Sequence, residues 1–342
     1  MSGLAERLRE VLAPVASGEA VLGLAAVLDH PSEPTAVWTP RALEREPGFL
    51  AYSITKSFTA VLVLKLAEEG RLALDDPLAR WLPQLPGAER ISLRALLSHT
   101  AGLRDYGGLA AYHEAVRRSP GEPWSPARFA AETYEQGLLA EPGSRFAYSN
   151  PGYMLLKQVV EEIGGQSYAS AIETRITRPL ALRRTFVAER PEDLAALARA
   201  PSRLLSLDGS LRDVRDTYHP GWVSHGVVAS TPSEIVRFYS ALARGELLAP
   251  VSLDAMTCFL PVPDAPPRWR RPSYGLGLMA DGASPWGVIW GHGGGGPGYQ
   301  ASAFHARTLE GRAVTVCAMC ASEDDALADR LVFAAFDRLR AA

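Results

Sequence analysis

Ser53 and Lys56 stand three residues apart at the head of a long apolar run, which puts an amine one helical turn from a hydroxyl. A nucleophile with a base in reach is the chemistry this pairing can do. The run continues through Phe58, Val61, Leu62, Val63, Leu64 and Leu66, apolar nearly all round, so it predicts a buried helix from about Ser53 that ends at Glu68-Glu69-Gly70. A lysine near the start of a buried helix must be paired or surrender its proton, because burial strips the ammonium of its hydration. Partial desolvation makes Lys56 a better base toward Ser53, and the helix N-terminus favours the negative charge that develops there. The competing reading is a serine cap followed by an exposed lysine.

Two other stretches carry candidate chemistry. Tyr148-Ser149-Asn150 precedes Pro151, a helix-starting proline. A phenol beside an ammonium ionises more easily, so Tyr148 and Lys56 can share a proton, while Asn150 offers both a donor and an acceptor. Taken alone, Tyr148 reads as a core tyrosine and Asn150 as a helix cap. Gly291-His292-Gly293-Gly294-Gly295-Gly296-Pro297-Gly298 lies between strand-like segments, so its glycines predict an edge strand bare enough for a ligand to approach its backbone. It lacks the Lys-Ser/Thr and following helix of a phosphate loop.

Positioning these residues requires strands near both ends of the chain and helices between. Residues 4 to 15 have helical period, Val21 to Leu28 suits a central strand, and Ala36 to Thr39 suits its hairpin partner. Asp75-Asp76-Pro77, Ser92, Ser125-Pro126 and Asn150-Pro151 read as helix starts, followed by a helix from Tyr168 to Ile176. Thr231-Pro232-Ser233-Glu234 has the pattern of a capping box. Tyr274 to Met279, Trp286 to Trp290, Tyr299 to Arg307 and Arg312 to Met319 read as strands, with a turn at Glu310-Gly311, before a final helix from Ala326 to Leu339. The expected organisation is a sheet domain built from residues 1–80 and 215–342, with a helical domain over 81–214 inserted between them.

The composition bounds the rest. With 342 residues and 47% hydrophobic content the chain can bury a sizeable core. A net charge of -3 with scattered basic residues gives no footprint for nucleic acid or an anionic membrane. The longest apolar run, Ala20 to Leu28, is too short to cross a bilayer, and Glu6, Arg7, Arg9 and Glu10 do not fit a secretory leader. A cytoplasmic location is the expectation. Cys258, Cys317 and Cys320 suit a reducing compartment; Cys317-x-x-Cys320 lies in a strand-like segment without a second ligand pair and reads as packed thiols. His99 reads as structural in its turn, and His219 and His225 flank Trp222 in a loop that lies either in a pocket wall or at the surface. No clustered ligand set is present, so neither a metal nor a cofactor is expected.

Ser53-x-x-Lys56, Tyr148-x-Asn150 and His292-Gly293-Gly294, in that order, resemble the three motifs of the penicillin-recognising serine hydrolases. The similar branch holds class C beta-lactamases, D-alanyl-D-alanine carboxypeptidases, D-aminopeptidases and beta-lactamase-like esterases. Ser92 to Leu103, Gly226 to Thr231 and Tyr274 to Gly277 resemble stretches of that branch in the same order, extending the likeness over residues 50 to 300. The resemblance implies an α+β fold, an antiparallel sheet of five or more strands flanked by helices beside an all-helical region. It also implies an acyl-enzyme at Ser53, proton movement by Lys56 and Tyr148, and substrate contacts from Asn150, His292, Gly294 and Gly295. The Ser53 and Gly295 amides would form an oxyanion hole. His292 stands where beta-lactamases and transpeptidases usually have lysine, and a neutral histidine anchors a carboxylate less well. The implied substrate is therefore a small ester or amide, with beta-lactams poor at best. The same acyl-enzyme also serves a transacylase that passes the acyl group to an amine or alcohol. A non-catalytic sensor of this fold usually loses the serine or the lysine, and both are present.

Overall fold

The apolar runs at the two ends of the chain pair with each other. Leu22–Leu28 runs antiparallel to Arg312–Ala321, with Ala25 opposite Cys317, and takes Ala36–Trp38 on its other edge. The computed structural model describes residues 2–14, 22–28, 36–38, 46–263 and 266–340; Val15, Val21 and Thr39, each at one end of an expected element, lie outside them. From Arg312–Ala321 the sheet continues through Tyr299–Leu309, Gly287–Gly296, Met279–Ser284, Pro272–Tyr274 and Leu260–Pro261, making eight antiparallel strands among the described residues. Tight turns allow this succession: Glu310 and Gly311 take φ of 49° and 79°, the left-handed pair a two-residue hairpin needs.

Side chains alternate across the sheet and build two cores. On one face Leu24, Phe304, Val314, Val316 and Cys320 pack under the helices Ser2–Leu12 and Leu327–Arg340. On the other, Ala25, Ala303, Cys317 and Met319 pack under the helix Pro232–Ala243, in a core that extends to the nucleophile helix, Thr55–Glu68. Cys317 and Cys320 are three apart on one strand and face opposite cores, so they cannot share a ligand.

The nucleophile helix is buried along nearly its whole length. Phe58 stacks on Phe238 of the neighbouring helix, with ring centroids 3.9 Å apart and 8° between planes. Each such apolar side chain contributes about 1.5–3 kcal/mol on burial. The helix does not start at Ser53. A 3₁₀ turn, Tyr52–Ile54, precedes it, because Tyr52 has φ of 44° and breaks the helical path.

Other departures from the sequence reading have local causes. Tyr274 to Met279 is not one strand: the chain leaves the sheet at Gly275 and re-enters at Met279, turning through Gly277 at φ 71°. A side chain at Gly277 would lie 2.6 Å from the Ala60 side chain and 2.8 Å from the Lys56 carbonyl, so this turn fits only as glycine against the nucleophile helix. Asp75-Asp76-Pro77 leads into a 3₁₀ turn, Leu78–Arg80. The helix from Tyr168 gives way after Ile172 to a wide π turn, Glu173–Thr177. Thr231 caps its helix, but the Glu234 carboxylate accepts from the Arg184 amide and the Thr185 hydroxyl, so the second half of the capping box is missing. Among the described residues no helix is long and apolar enough to cross a membrane.

Candidate active site

The turn carrying Ser53 is clamped from two sides. Ala51 donates its amide to the Val228 carbonyl (2.8 Å), and Val228 donates its own to Thr55 Oγ1 (2.9 Å). On the other side lies the glycine strand, Gly287–Gly296, against which the turn packs. The Tyr52 hydroxyl donates to the Pro297 carbonyl at 2.8 Å, fixing the strained residue just before the nucleophile. At Gly294 a Cβ would collide with the Ala51 carbonyl and come within 2.9 Å of the Ser53 amide, so the strand approaches only because that position is bare.

The glycine strand is internal to the sheet, not an edge strand as its composition suggested. Only its far end is open. Met279 pairs with Gly291, and no described strand pairs with 292–296 on that side, whereas Gly296 still pairs with Tyr299 on the other. An open edge there leaves backbone amides and carbonyls for a ligand.

Around Ser53 the structure brings four of the expected residues together. Lys56 Nζ donates to Ser53 Oγ at 3.0 Å and to Asn150 Oδ1 at 2.7 Å, and the Tyr148 hydroxyl donates to Ser53 Oγ at 3.0 Å. Lys56 also lies over the Tyr148 ring, 4.9 Å from its centroid. Asn150 is available because Ser149 caps the following helix, accepting from the Gly152 amide at 3.3 Å. Asp105 then holds Asn150, taking its backbone amide at 2.8 Å and its side-chain nitrogen at 3.3 Å.

Burial sets the electrostatics. Lys56 is wholly buried, and desolvation pulls its ammonium down to about 7, offset only in part by the Asp105 charge. Half of the amine is therefore neutral near neutral pH. Burial pushes the Tyr148 phenol up, against the opposing effect of its hydrogen bond to Ser53, and raises the Asp105 carboxyl. The phenol thus rests protonated and acts as a donor toward Ser53.

His292 is placed differently from expectation. It is buried, with Nε2 2.9 Å from the Tyr274 hydroxyl and Nδ1 against the Gly293 carbonyl, and desolvation lowers it to about 3. A neutral imidazole turned toward Tyr274 presents no charge to a ligand. The cleft over Ser53, about 210 Å³, is lined by Gly295 and Asn150 but by neither His292 nor Gly294. Its walls come from Tyr106, Tyr112, Val116, Leu204, Tyr218 and Val223. A larger open groove, about 770 Å³, runs between Ser167 and Val187 and holds none of these groups.

Two participants escaped the sequence reading. Asp105 has no motif of its own. His225 was read as a pocket-wall or surface histidine, with no contact to Lys56 foreseen; the structure puts its Nε2 3.3 Å from Lys56 Nζ. His99 is structural, as read: its Nδ1 accepts from the Ser149 amide at 3.1 Å and its ring lies 4.2 Å from that of Tyr148, centroid to centroid. Among the described residues no three His, Cys, Asp or Glu side chains converge as metal ligands.

Sheet, helices and cleft together define the serine beta-lactamase-like class of fold. A D-stereospecific amidohydrolase from Streptomyces sp. superposes with a TM-score of 0.79 and 31% identity over 92% of this chain and 93% of that one. A D-amino acid amidase from Ochrobactrum anthropi SV3 superposes with a TM-score of 0.82 over 99% and 98%, at 24% identity. The chain belongs to the beta-lactamase family, whose model matches residues 19–335. Among curated relatives, penicillin-binding protein 4* of Bacillus subtilis is 30% identical over 79% of this chain and 61% of its own length. The D-alanyl-D-alanine-carboxypeptidase/endopeptidase AmpH of Escherichia coli is 31% identical over 54% of this chain and 46% of its own. The chain thus spans about half to three-fifths of the length of these two relatives.

Proposed function

We propose that the protein is a serine hydrolase that forms an acyl-enzyme through Ser53 on a small amide or ester. The observation that carries this is the hydrogen bonding of Ser53 Oγ to both Lys56 and Tyr148, 3.0 Å from each, with the Lys56 amine titrating at about 7. Neutral Lys56 takes the Ser53 proton as the new C–O bond forms, and the Ser53 and Gly295 amides receive the oxyanion. Tyr148 passes a proton to the leaving amine or alcohol as its bond to the acyl carbon breaks, and Lys56 resupplies the phenol. Water then attacks the ester at Ser53 by the reverse route. Amides are favoured over esters by the likeness to the Streptomyces amidohydrolase, which covers both chains almost completely.

A fluorophosphonate probe tests the nucleophile: wild-type protein is labelled and Ser53→Ala is not, and labelling of the variant would overturn the assignment. The labelling rate rises with pH through about 7, because the base is the neutral amine. A panel of D- and L-amino acid amides, p-nitrophenyl esters and nitrocefin, with and without an amine acceptor, then ranks amidase, esterase, beta-lactamase and acyl-transfer activity. Faster turnover with acceptor than with water alone would replace hydrolysis by transacylation.

A further inference from the structure

His225 is buried and touches the base, yet the reaction as written gives it no task. Its turn is held with care: Gly226, at φ 82°, closes it by donating to the Val223 carbonyl at 2.9 Å, and Ser224 donates to the Tyr106 hydroxyl from its amide at 3.2 Å and its own hydroxyl at 3.1 Å. Two residues on, Val228 is tied to both Ala51 and Thr55 on either side of Ser53. The imidazole is thereby fixed relative to the nucleophile.

A neutral amine has two N–H bonds and one lone pair, and it serves as a base only when the lone pair faces the proton to be taken. Lys56 has three neighbours within reach: Ser53 Oγ, Asn150 Oδ1 and His225 Nε2. Asn150 Oδ1 can only accept. With an acceptor at His225 as well, both N–H bonds are occupied and the lone pair has one direction left, toward Ser53. We propose that His225 is a positioning residue that accepts the second N–H of neutral Lys56 through Nε2 and so aims the amine's lone pair at Ser53. This rests on Ser53 and Lys56 being nucleophile and base.

The tautomer follows. If Nε2 accepts, the proton is on Nδ1, which is buried without a partner among the described residues. The proposal therefore rests on the contact of Nε2 with Lys56 and not on the unpartnered nitrogen, since the structural His99 also leaves Nε2 without a partner among the described residues. The opposite tautomer would donate Nε2–H into the lone pair and disable the base. His225 also remains uncharged, since desolvation first and the nearby Lys56 next hold its pKa well down. The other groups facing Lys56 are the Asp105 carboxyl, the Tyr148 and Tyr153 rings and, further off, the neutral His99 and His292.

Nitrogen-15 NMR of histidine-labelled wild-type protein tests the tautomer without any mutation. The expected result is a neutral ring with its proton on Nδ1 from about pH 5 to 9; a proton on Nε2, or titration near 6.5, overturns the proposal. Fluorophosphonate labelling against pH tests the role. His225→Ala is expected to slow labelling about tenfold at saturating probe and to move the pH midpoint by roughly half a unit. His225→Gln, whose amide oxygen can accept, recovers most of the loss. Unchanged rate and midpoint in His225→Ala would sink the inference while leaving the nucleophile assignment standing; labelling of Ser53→Ala would sink that assignment instead.

Discussion

The two faces of the central sheet bury different things. Under Ser2–Leu12 and Leu327–Arg340 the core is leucine, valine, phenylalanine and tryptophan, with Trp286 stacked on Phe336 at 5.4 Å and its ring nitrogen donating to Asp337 at 2.8 Å. On the other face the apolar core surrounds Lys56, Ser57, Thr59, His99, His225 and His292, all nearly sealed from water. Two positive-φ residues, Tyr52 and His99, and two imidazole nitrogens without a partner among the described residues also lie there. The first face is mainly apolar, with the Asp329 carboxyl raised by burial as an exception; the second gives up more stability to hold an amine dry beside a hydroxyl.

Substitutions can break or sharpen that contrast. Ser53→Ala should abolish fluorophosphonate labelling and leave the melting temperature unchanged or higher; a large drop in melting temperature would mean that the site face is structural after all. Phe336→Ala should do the reverse, costing about 3–5 kcal/mol in a denaturant titration while leaving the labelling rate intact below the melt. Lys56→Met should stop rapid labelling yet raise stability, since a chain of similar size replaces a group whose charge the fold disfavours, less what the bare Asn150 and His225 acceptors lose. The sign with pH is fixed. The folded-state pKa of about 7 is below the unfolded value, so wild-type protein gains stability as pH rises from there toward the unfolded pKa. The advantage of the Met variant in paired thermal melts is therefore larger near about pH 6 than near about pH 9. The smallest effect is expected for Ser149→Ala, about 1 kcal/mol from loss of a helix cap, with Asn150 still bonded to Lys56 and labelling slowed little.

The same contrast explains what could be read from the sequence. Ser53 and Lys56 were legible because both lie within one turn of chain, and Tyr148 and Asn150 because they sit side by side before a proline. Most strands of the sheet were legible from apolar runs and turn residues. His225 was not, because its contact with Lys56 spans 169 residues and a lone histidine in a loop has no period to betray it. Asp105 was hidden for the same reason, its role passing through Asn150. The fate of His292 also depended on packing: the glycine motif marks the strand, but only the Tyr274 hydroxyl across the sheet decides which way the imidazole turns.

The bareness of the glycine strand limits how this protein can be retargeted. Any side chain at Gly294 would push on the turn that carries Ser53, so mutation there trades the reaction for the fold and offers no gradual route to a new substrate. The freedom lies in the cleft walls, in the side chains of Tyr112, Val116, Leu204 and Val223, which line the space above Ser53. A randomised library confined to those four wall positions would explore acyl-group preference while keeping the nucleophile's geometry constant. Diversification of this chain by natural drift or by directed evolution should concentrate there.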